Sequence, residues 1–529
     1  MKREMMLFIA LFACGQVFAQ GEIDALRLSR NDLAGTARGQ AMGGAFGALG
    51  GDVTGVTINP AGLGVYSRSE FSTSISFVNN TDKAVWNSMD DKGSKFDFNF
   101  ESLSYMAVVP TGSKEMPFIN FGFSYNRLKN FVRNYNASAS DMSSSLTDYM
   151  VVKTNGYAHP ANDEKFIYES GGLPWIGGLG YNARLINAKS GTTNMYESPL
   201  SDGDKVSPTL SVSEQGAINN FDFSIATNLN DQLYFGLDFS YTDIFYKANT
   251  GYTENFYDGG NGNHFGYVGL DNYFETTGSG YQVKLGAIWK PINELRVGVA
   301  YHSPTWYVLT DYYQGLADVN YLLPDDSQVT GKDETPRDGL TDYHFKSPYS
   351  WTVSLAGVLG SKAIVSLDYE MKDYTCMDLS NQNGSEFYYR DMNSDIDKDF
   401  KMASTLRAGV EYRITSQVSG RLGYAWMENP YEQKFKDGEN LRGDDSEPVS
   451  LVGTVPNYTI EGNTQYFTAG LGYKFTPNTY LDLAFVYQQR QDKLYAFPSV
   501  ARDDLFVTST PATLNHAAYK TMLTLGYKF

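Results

Sequence analysis

Most of this chain alternates between apolar and polar residues, which is the period of a β-strand and not of a helix. Successive side chains of a strand point to opposite faces, so each segment has one apolar face and one face of charged or small residues. The pattern begins at Arg68 and returns until Phe529. The alternation predicts an all-β protein. Clear examples are residues 295–301, 365–371, 406–414 and 467–475.

The connections between these segments fall into two classes, tight and long. Short turns on one side of the membrane and long loops on the other are typical of transmembrane β-barrels, and a sandwich has no reason to separate them. The segments number about 14, and an even number suits a closed antiparallel barrel. The tight links lie at 229–231, 291–293, 360–362, 415–417 and 477–479, and the long ones at 130–215, 249–270, 314–344, 376–401, 429–462 and 492–515.

The composition agrees with a barrel. Aromatic residues make up 15% of the chain, and glycine occurs 51 times. No stretch after the N-terminus approaches the ~18 consecutive apolar residues of a membrane helix. In a barrel only every second strand residue meets lipid, and aromatic residues form girdles at the interfaces. A large secreted β-sandwich or propeller is the alternative. The net charge of −18 argues against nucleic acid as a partner.

The N-terminus predicts export. Residues 1–19 have a basic start, an apolar run and a small-residue cleavage site ending at Ala19, as in a secretory signal peptide. The alternative is a lipoprotein with Cys14 as the lipidated residue. After cleavage Cys376 is the one remaining cysteine, so the fold stands without an internal disulfide. The last segment alternates and ends on Phe529, which resembles the signal by which outer-membrane barrels are recognised for assembly.

A glycine-rich stretch, residues 39–63, precedes the first strand. It is too rich in glycine for an ordinary helix or strand and too apolar for a loose linker. We expect residues 20–66 to form a short helix and a compact plug, and residues 67–529 to form the barrel around it. The alternative is a glycine-rich arm on the surface. The residues expected to seat or gate the plug are Gly43, Gly44, Gly50, Gly51 and the rigid turn Asn59, Pro60 and Ala61.

Four stretches, in order along the chain, resemble the outer-membrane transporters of long-chain fatty acids and hydrocarbons, the FadL type. The resemblance implies a monomeric outer-membrane barrel of the predicted strand number with an N-terminal plug. It also implies that an apolar ligand is caught by extracellular loops, passes to a lumenal pocket and leaves through a gap beside a kinked strand. The stretches are residues 36–63, 295–304, 347–351 with the strand pair ending at 368–369, and 406–430 continuing in 466–487.

We therefore expect passive transport of hydrophobic small molecules, with long-chain fatty acids as the first candidate. Arginine pairs bidentately with carboxylates. Strand alternation turns Arg296, Arg407, Arg413 and Arg421 toward the lumen as candidate anchors. Trp175, in the long link 130–215, is a candidate for a capture groove. The alternative for the arginines is a structural network with acidic neighbours that holds the wall together.

The sequence does not predict an enzyme, a cofactor or a metal site. The five histidines are scattered, without Ser/His or metal-ligand spacing. Asp395, Asp397 and Asp399 resemble the start of a calcium loop, but Phe400 stands where glycine is needed. We expect a solvated acidic loop there.

Other functions stay open at this point. The same scaffold could carry an aromatic hydrocarbon or a porphyrin. A surface-exposed structural or adhesin-type barrel is a second alternative, and an outer-membrane hydrolase is a third. A further hypothesis is that Gly122, within residues 118–127, marks the kink of the third strand.

Overall fold

The computed structural model describes residues 21–160, 167–168, 172–336, 339–360, 362–437, 449, 453–502 and 505–529. The predicted signal peptide lies outside the described residues. Within the described ranges, no helix is long and apolar enough to cross a membrane.

In the described part of the chain, fourteen antiparallel strands close into a barrel, as the alternation predicts. The first strand pairs with the last, so that Glu70 lies opposite Lys528 and Val85 opposite Thr513. The strands are β1 (Glu70–Trp86), β2 (Met89–Pro110), β3 (Phe118–Asn130 and Arg133–Ser138), β4 (Lys205–Leu229), β5 (Leu233–Tyr257), β6 (His264–Ile292), β7 (Leu295–His302 and Trp306–Leu322), β8 (Leu340–Lys346 and Ser350–Leu359), β9 (Ala363–Asp373 and Asp378–Asn381), β10 (Met402–Arg413), β11 (Val418–Met427), β12 (Tyr458–Ile460 and Thr464–Lys474), β13 (Thr479–Tyr495) and β14 (Ala512–Lys528).

The two faces of the wall have the chemistry of a membrane barrel. On β5, Phe235, Leu237 and Phe239 are exposed on the outside, while the alternate residues Asp238 and Ser240 are buried on the lumenal side. The same division holds around the barrel, with apolar and aromatic side chains outward. A closed barrel with an apolar outer belt and a polar interior is the transmembrane class found in outer membranes.

Several strands continue far beyond the belt, and here the predicted loops need correction. β4 and β5 each have 25 residues and β6 has 29. The predicted long link 249–270 is therefore mostly strand, with a turn at 258–263. Outside the membrane, outward side chains no longer need to be apolar, so the alternation weakens although the ladder continues. We call the end with the long connections the upper end.

Short helices lie inside and above the barrel. The described chain enters as α1 (Glu22–Ser29). It continues as α2 (Ala37–Ala41), α3 (Val53–Ile58) and a 3-10 turn (Pro60–Val65). Above the belt are α4 (Leu146–Thr154), α5 (Trp175–Asn182), α6 (Arg390–Asp399) and α7 (Gln433–Asp437), with the short pairs Asn187–Ala188/Tyr196–Glu197 and Val500–Arg502/Leu505–Val507, the strand Gln328–Glu334 and the 3-10 turn Tyr374–Cys376.

Candidate functional site: a lumenal chamber above the plug

The plug consists of residues 30–66 and lies within the barrel, in contact with the inner faces of β3, β4, β5, β6, β11, β12, β13 and β14. Its predicted glycines adopt the left-handed conformation that favours glycine, with φ of 64° at Gly43, 74° at Gly44, 63° at Gly50 and 68° at Gly51. These turns fold the apolar stretch back on itself, so that almost every residue from Ala37 to Leu63 is buried.

The plug meets the wall backbone to backbone. A Cβ atom added to Gly298 of β7 would lie 2.5 Å from the carbonyl oxygen of Gly47. One added to Gly423 of β11 would lie 2.2 Å from the amide nitrogen of Gly43. Wall glycines thus stand opposite plug glycines, because a side chain on either partner would hold the two backbones apart.

Asn59 joins the plug to itself and to the wall. Its Nδ2 donates to the carbonyl oxygen of Gly47 at 2.7 Å and to that of Ala287 of β6 at 3.2 Å. Its Oδ1 accepts from the amide of Ala61 at 3.1 Å, which caps the 3-10 turn that begins at Pro60. Asn59 therefore links the plug to the wall in this structure, whereas the roles of the Asn-Pro-Ala turn in seating and gating the plug stay predictions.

Buried ion pairs fasten the base of the plug. Arg38 of the plug donates to Glu411 of β10 at 2.8 Å, and Arg421 of β11 donates to the same carboxylate at 2.7 Å. Arg421 also donates to Asp482 of β13 at 2.6 Å. Each charge is compensated inside the protein, so Arg421 acts here as part of a structural network.

The other sequence-predicted residues are dispersed. Arg296 donates to the carbonyl oxygen of Leu49 in the plug, and Arg407 forms an ion pair with Glu370. Arg413 is exposed near the lower end of β10. Trp175 begins α5 above the belt, with its ring centroid 5.1 Å from that of Tyr313. The structure does not bring these residues together in one site, and their ligand-binding role stays a prediction.

A cavity of about 180 Å³, here called the chamber, lies above the plug. Ile23 and Leu26 of α1 and Phe274 of β6 give it apolar walls. A second space of about 160 Å³, the lower cavity, shares Leu33, Leu128, Asp32 and Tyr466 with it. The two spaces adjoin along the segment that follows α1 and offer an elongated apolar ligand more room than either does alone.

Two cations of β3 line the chamber without a matching acid. Arg127 donates to the neutral side chain of Asn99, and Lys129 donates to the carbonyl oxygen of Arg27 at 2.8 Å. Within the described residues, neither has a carboxylate in ion-pair contact. This distinguishes them from Arg133, also in the chamber, which donates to Asp82 at 2.8 Å. Arg127 and Lys129 therefore lie in the chamber without a direct ion-pair partner, although the carboxylates of Asp32 and Glu461 also line it.

The unused hydrogen-bonding atoms of the chamber are mostly donors. In the described part of the chain, the Nε of Arg127, the Nε of Arg133 and the Nδ2 of Asn99 are buried without a partner. The hydroxyl of Tyr431, a fully buried side chain, also lacks one. Gln40 contributes an unused acceptor. A ligand that accepts several hydrogen bonds would satisfy these groups, which cost free energy when left unpaired.

Sequence reasoning missed Arg127 and Lys129. A signal was present, because two basic residues two positions apart face the same side of a strand. They also stand where the third segment stops alternating. The structure has a register shift between Arg127 and Lys129 in the ladder with β4. Two basic residues at the end of an alternating strand segment therefore indicate the chamber better than arginines within an alternating segment do.

The wall beside the chamber has a gap between β2 and β3. Their ladder ends at the pair Ser102 and Asn126, and above it residues 89–100 of β2 pair with β1 alone in the described chain. Asn130 reaches across and donates to Asp97 at 2.8 Å. We call this stretch, residues 94–101 facing 127–132, the wall gap. Exposed Phe96, Phe98 and Phe100 border it on the outside, so it opens at the level of the lipid-facing belt.

The wall gap corrects the Gly122 hypothesis. Gly122 pairs with Met106 on one side and with Ser224 on the other, without a break in either ladder. The irregularity of β3 lies higher, at Arg127 to Val132, where the strand shifts register and is interrupted. Glycine in a strand is compatible with regular pairing, so its presence alone did not locate the kink.

The acidic run is a helix and not the expected loop. Asp395, Asp397 and Asp399 lie on α6. Among the described residues, no group of three or more histidine, cysteine or acidic side chains could hold a metal ion.

Comparisons with known proteins bear on the fold. No protein-family model matches the sequence, and no curated protein matches it. Among solved structures, a Pseudomonas aeruginosa FadL homologue matches with a TM-score of 0.50 and 12% identity, over 95% of this chain and 100% of that chain. The Ralstonia pickettii toluene transporter TbuX matches with a TM-score of 0.47 and 14% identity, over 94% and 99%. The first match confirms the predicted FadL-type resemblance at the level of the fold.

Proposed function

We propose that this protein is a monomeric outer-membrane transporter through which long-chain carboxylic acids diffuse passively. The observation that carries the proposal is the chamber, in which apolar walls surround the unpaired cations Arg127 and Lys129 and several unused donors. A fatty acid has both complementary parts: an alkyl chain for the walls and a carboxylate that accepts several hydrogen bonds.

The surplus of donors favours an acid over a neutral cargo. Each CH₂ group taken from water contributes roughly 0.8 kcal/mol, whether the ligand is an acid or a hydrocarbon. A hydrocarbon would exclude water from the donors of Arg127, Asn99 and Tyr431 without pairing with them. Each unpaired group would cost roughly 1–3 kcal/mol of binding free energy. A carboxylate would pair with them and with Lys129.

The wall gap offers an exit for the ligand. Asn99, Glu101 and Arg127 line both the chamber and the gap, so the headgroup site lies directly inside the opening. The wall there is held by side chains and not by a backbone ladder. The seated plug closes the vertical path below, so a sideways exit requires less rearrangement than removal of the plug.

Equilibrium binding tests the headgroup assignment. Purified protein is titrated with hexadecanoate and with hexadecanol, which have the same chain and different headgroups. The double variant Arg127→Gln/Lys129→Gln should bind the acid about tenfold more weakly, a loss of roughly 1.4 kcal/mol, and the alcohol within about twofold of the original protein. Arg413→Gln is the matched control, since that arginine lies away from both cavities.

Two outcomes would overturn the proposal. Equal weakening for acid and alcohol would mean that the two cations only shape the chamber. If the original protein binds neither compound, and cells with and without it take up labelled hexadecanoate equally, long-chain acids are not the cargo.

A further inference from the structure

The outer face of the barrel has a polar hollow above the lipid-facing belt. Its volume is about 570 Å³, and it spans five neighbouring strands, β3 to β7. On β5 the large exposed apolar side chains of the belt end at Phe245. Asn249, in the hollow, follows on the same face about 13 Å further along the strand. The hollow therefore lies in the layer directly outside the hydrocarbon.

The lower row of the hollow consists of directly opposed residues from all five strands. Asn134 pairs with Ser213, and Ser213 with Asn249. Asn249 pairs with Tyr273, and Tyr273 with Gln314. The row thus presents amides, a hydroxyl and one aromatic ring side by side. These side chains share the outer face, because directly opposed residues of a ladder point the same way.

The upper row lies two residues further along each strand. Asn136 pairs with Ser211, Ser211 with Gly251, Gly251 with Asp271, and Asp271 with Leu316. Gly251 stands at the centre, and a Cβ atom there would meet only Asp271 Oδ1, at 3.0 Å. The missing side chain at Gly251 is what makes this face concave.

The chemistry of the hollow suits a sugar. Within the described residues, the side chains of Asn136, Ser211 and Asn249 make no hydrogen bond, so their donors and acceptors are free. Sugar hydroxyls donate and accept together, as amides and serine do. The ring of Tyr273 offers an aromatic platform, with Lys247 Nζ 5.4 Å from its centroid. A protein partner would be expected to need an apolar centre, whereas the centre here is Gly251 among polar groups.

We propose that this hollow, defined by Asn134, Asn136, Ser211, Asn249, Gly251 and Tyr273, binds the saccharide headgroup of a glycolipid in the outer leaflet. The hollow is continuous with the lipid-facing belt directly below it. The acyl chains of such a lipid would therefore lie against Phe245 while its sugars reach the hollow. The site is separate from the chamber and does not depend on the transported cargo.

The test compares two lipids that share their anchor. The full chain is reconstituted in phospholipid nanodiscs with either rough-type lipopolysaccharide, which carries a core saccharide, or its lipid A part alone, and retained glycolipid is counted by native mass spectrometry. The complete glycolipid should be retained at least about fivefold more than lipid A. The released soluble core saccharide should bind much more weakly. Equal retention of the two lipids, or equally tight binding of the soluble saccharide, would overturn the proposal.

Variants test whether the hollow causes the preference for the complete glycolipid over lipid A. Gly251→Leu fills the concavity and should abolish the preference, whereas Thr253→Leu, on the same face of β5 outside the hollow, should keep it. If Gly251→Leu does not insert, Asn136→Ala/Asn249→Ala provides the second measurement, with the preference falling at least about threefold. A preference unchanged in the folded variants would show that the hollow is not the site.

Discussion

The base of the plug and the wall beside the chamber hold buried arginines in opposite ways. At the base, Arg38 and Arg421 share the carboxylate of Glu411, and Asp482 completes the pairing. Beside the wall gap, Arg127 donates to the neutral Asn99. Since burial of an uncompensated charge is unfavourable, we infer that the fully paired arginines serve the fold, whereas the proposed ligand would compensate the incompletely paired Arg127.

The backbone shows the same difference. Around the base, wall glycines such as Gly298 and Gly423 bring the strands into direct contact with the plug. At the wall gap, the ladder between β2 and β3 is missing, and side chains such as Asn130 span the opening. Breaking side-chain contacts disturbs less structure than breaking a ladder. The base is therefore expected to stay closed while the gap opens.

The largest expected effect comes from locking the gap. Asp97→Cys/Asn130→Cys, in a Cys376→Ser background, is joined by a cleavable thiol reagent. Uptake of labelled hexadecanoate should fall at least about tenfold, because the ligand then has no sideways exit, and should recover on cleavage. Leu103→Cys/Tyr125→Cys, on the intact ladder just below, is the control. If uptake is undiminished while the gap is bridged, the ligand leaves elsewhere, and the wall gap has no role in transport.

The next effect concerns the paired arginines. Glu411→Leu leaves Arg38 and Arg421 without their shared carboxylate, which should lower the free energy of unfolding by about 3–5 kcal/mol. Urea titration in lipid vesicles measures this, and planar-bilayer conductance should rise as the plug loosens. Arg413→Gln, an exposed arginine of the same strand, should stay within about 0.5 kcal/mol. Equal stability of the two variants would mean that the network at the base contributes little.

The smallest effect concerns the backbone contact. Gly298→Val forces a side chain against the carbonyl of Gly47 and should cost about 1–3 kcal/mol, with faster hydrogen exchange in residues 39–63. Gly357→Val on the neighbouring β8 is the control, since its Cβ would have no atom closer than 4.0 Å. If both variants exchange alike, the wall glycines do not position the plug.

The barrel and the plug were both predictable from the order of residues along the chain. Alternation with a period of two fixes which residues face lipid, because a one-residue slip would expose the whole polar face. The tight turns, such as 229–231 and 415–417, followed from the same pattern. The Asn59-Pro60-Ala61 turn was recognisable because its backbone preferences are local.

Which lumenal cations lack an ion-pair partner became clear only in the folded barrel. Arg421 and Arg127 are both arginines on inward-facing strand positions, and residue type alone does not show which of them is paired with an acid. Glu411 reaches Arg421 from the adjacent strand β10, and Asp482 reaches it from β13, two strands away. Arg38 reaches Glu411 from the plug, 373 residues earlier in the chain. The pair Glu411–Arg421 lies across one hairpin, but Arg38 and Asp482 are added only when the plug and the more distant strands come together, and the alternation within a strand does not identify them. The missing ladder beside Arg127 was also not predictable from the strand pattern, because it depends on how β2 and β3 separate in space.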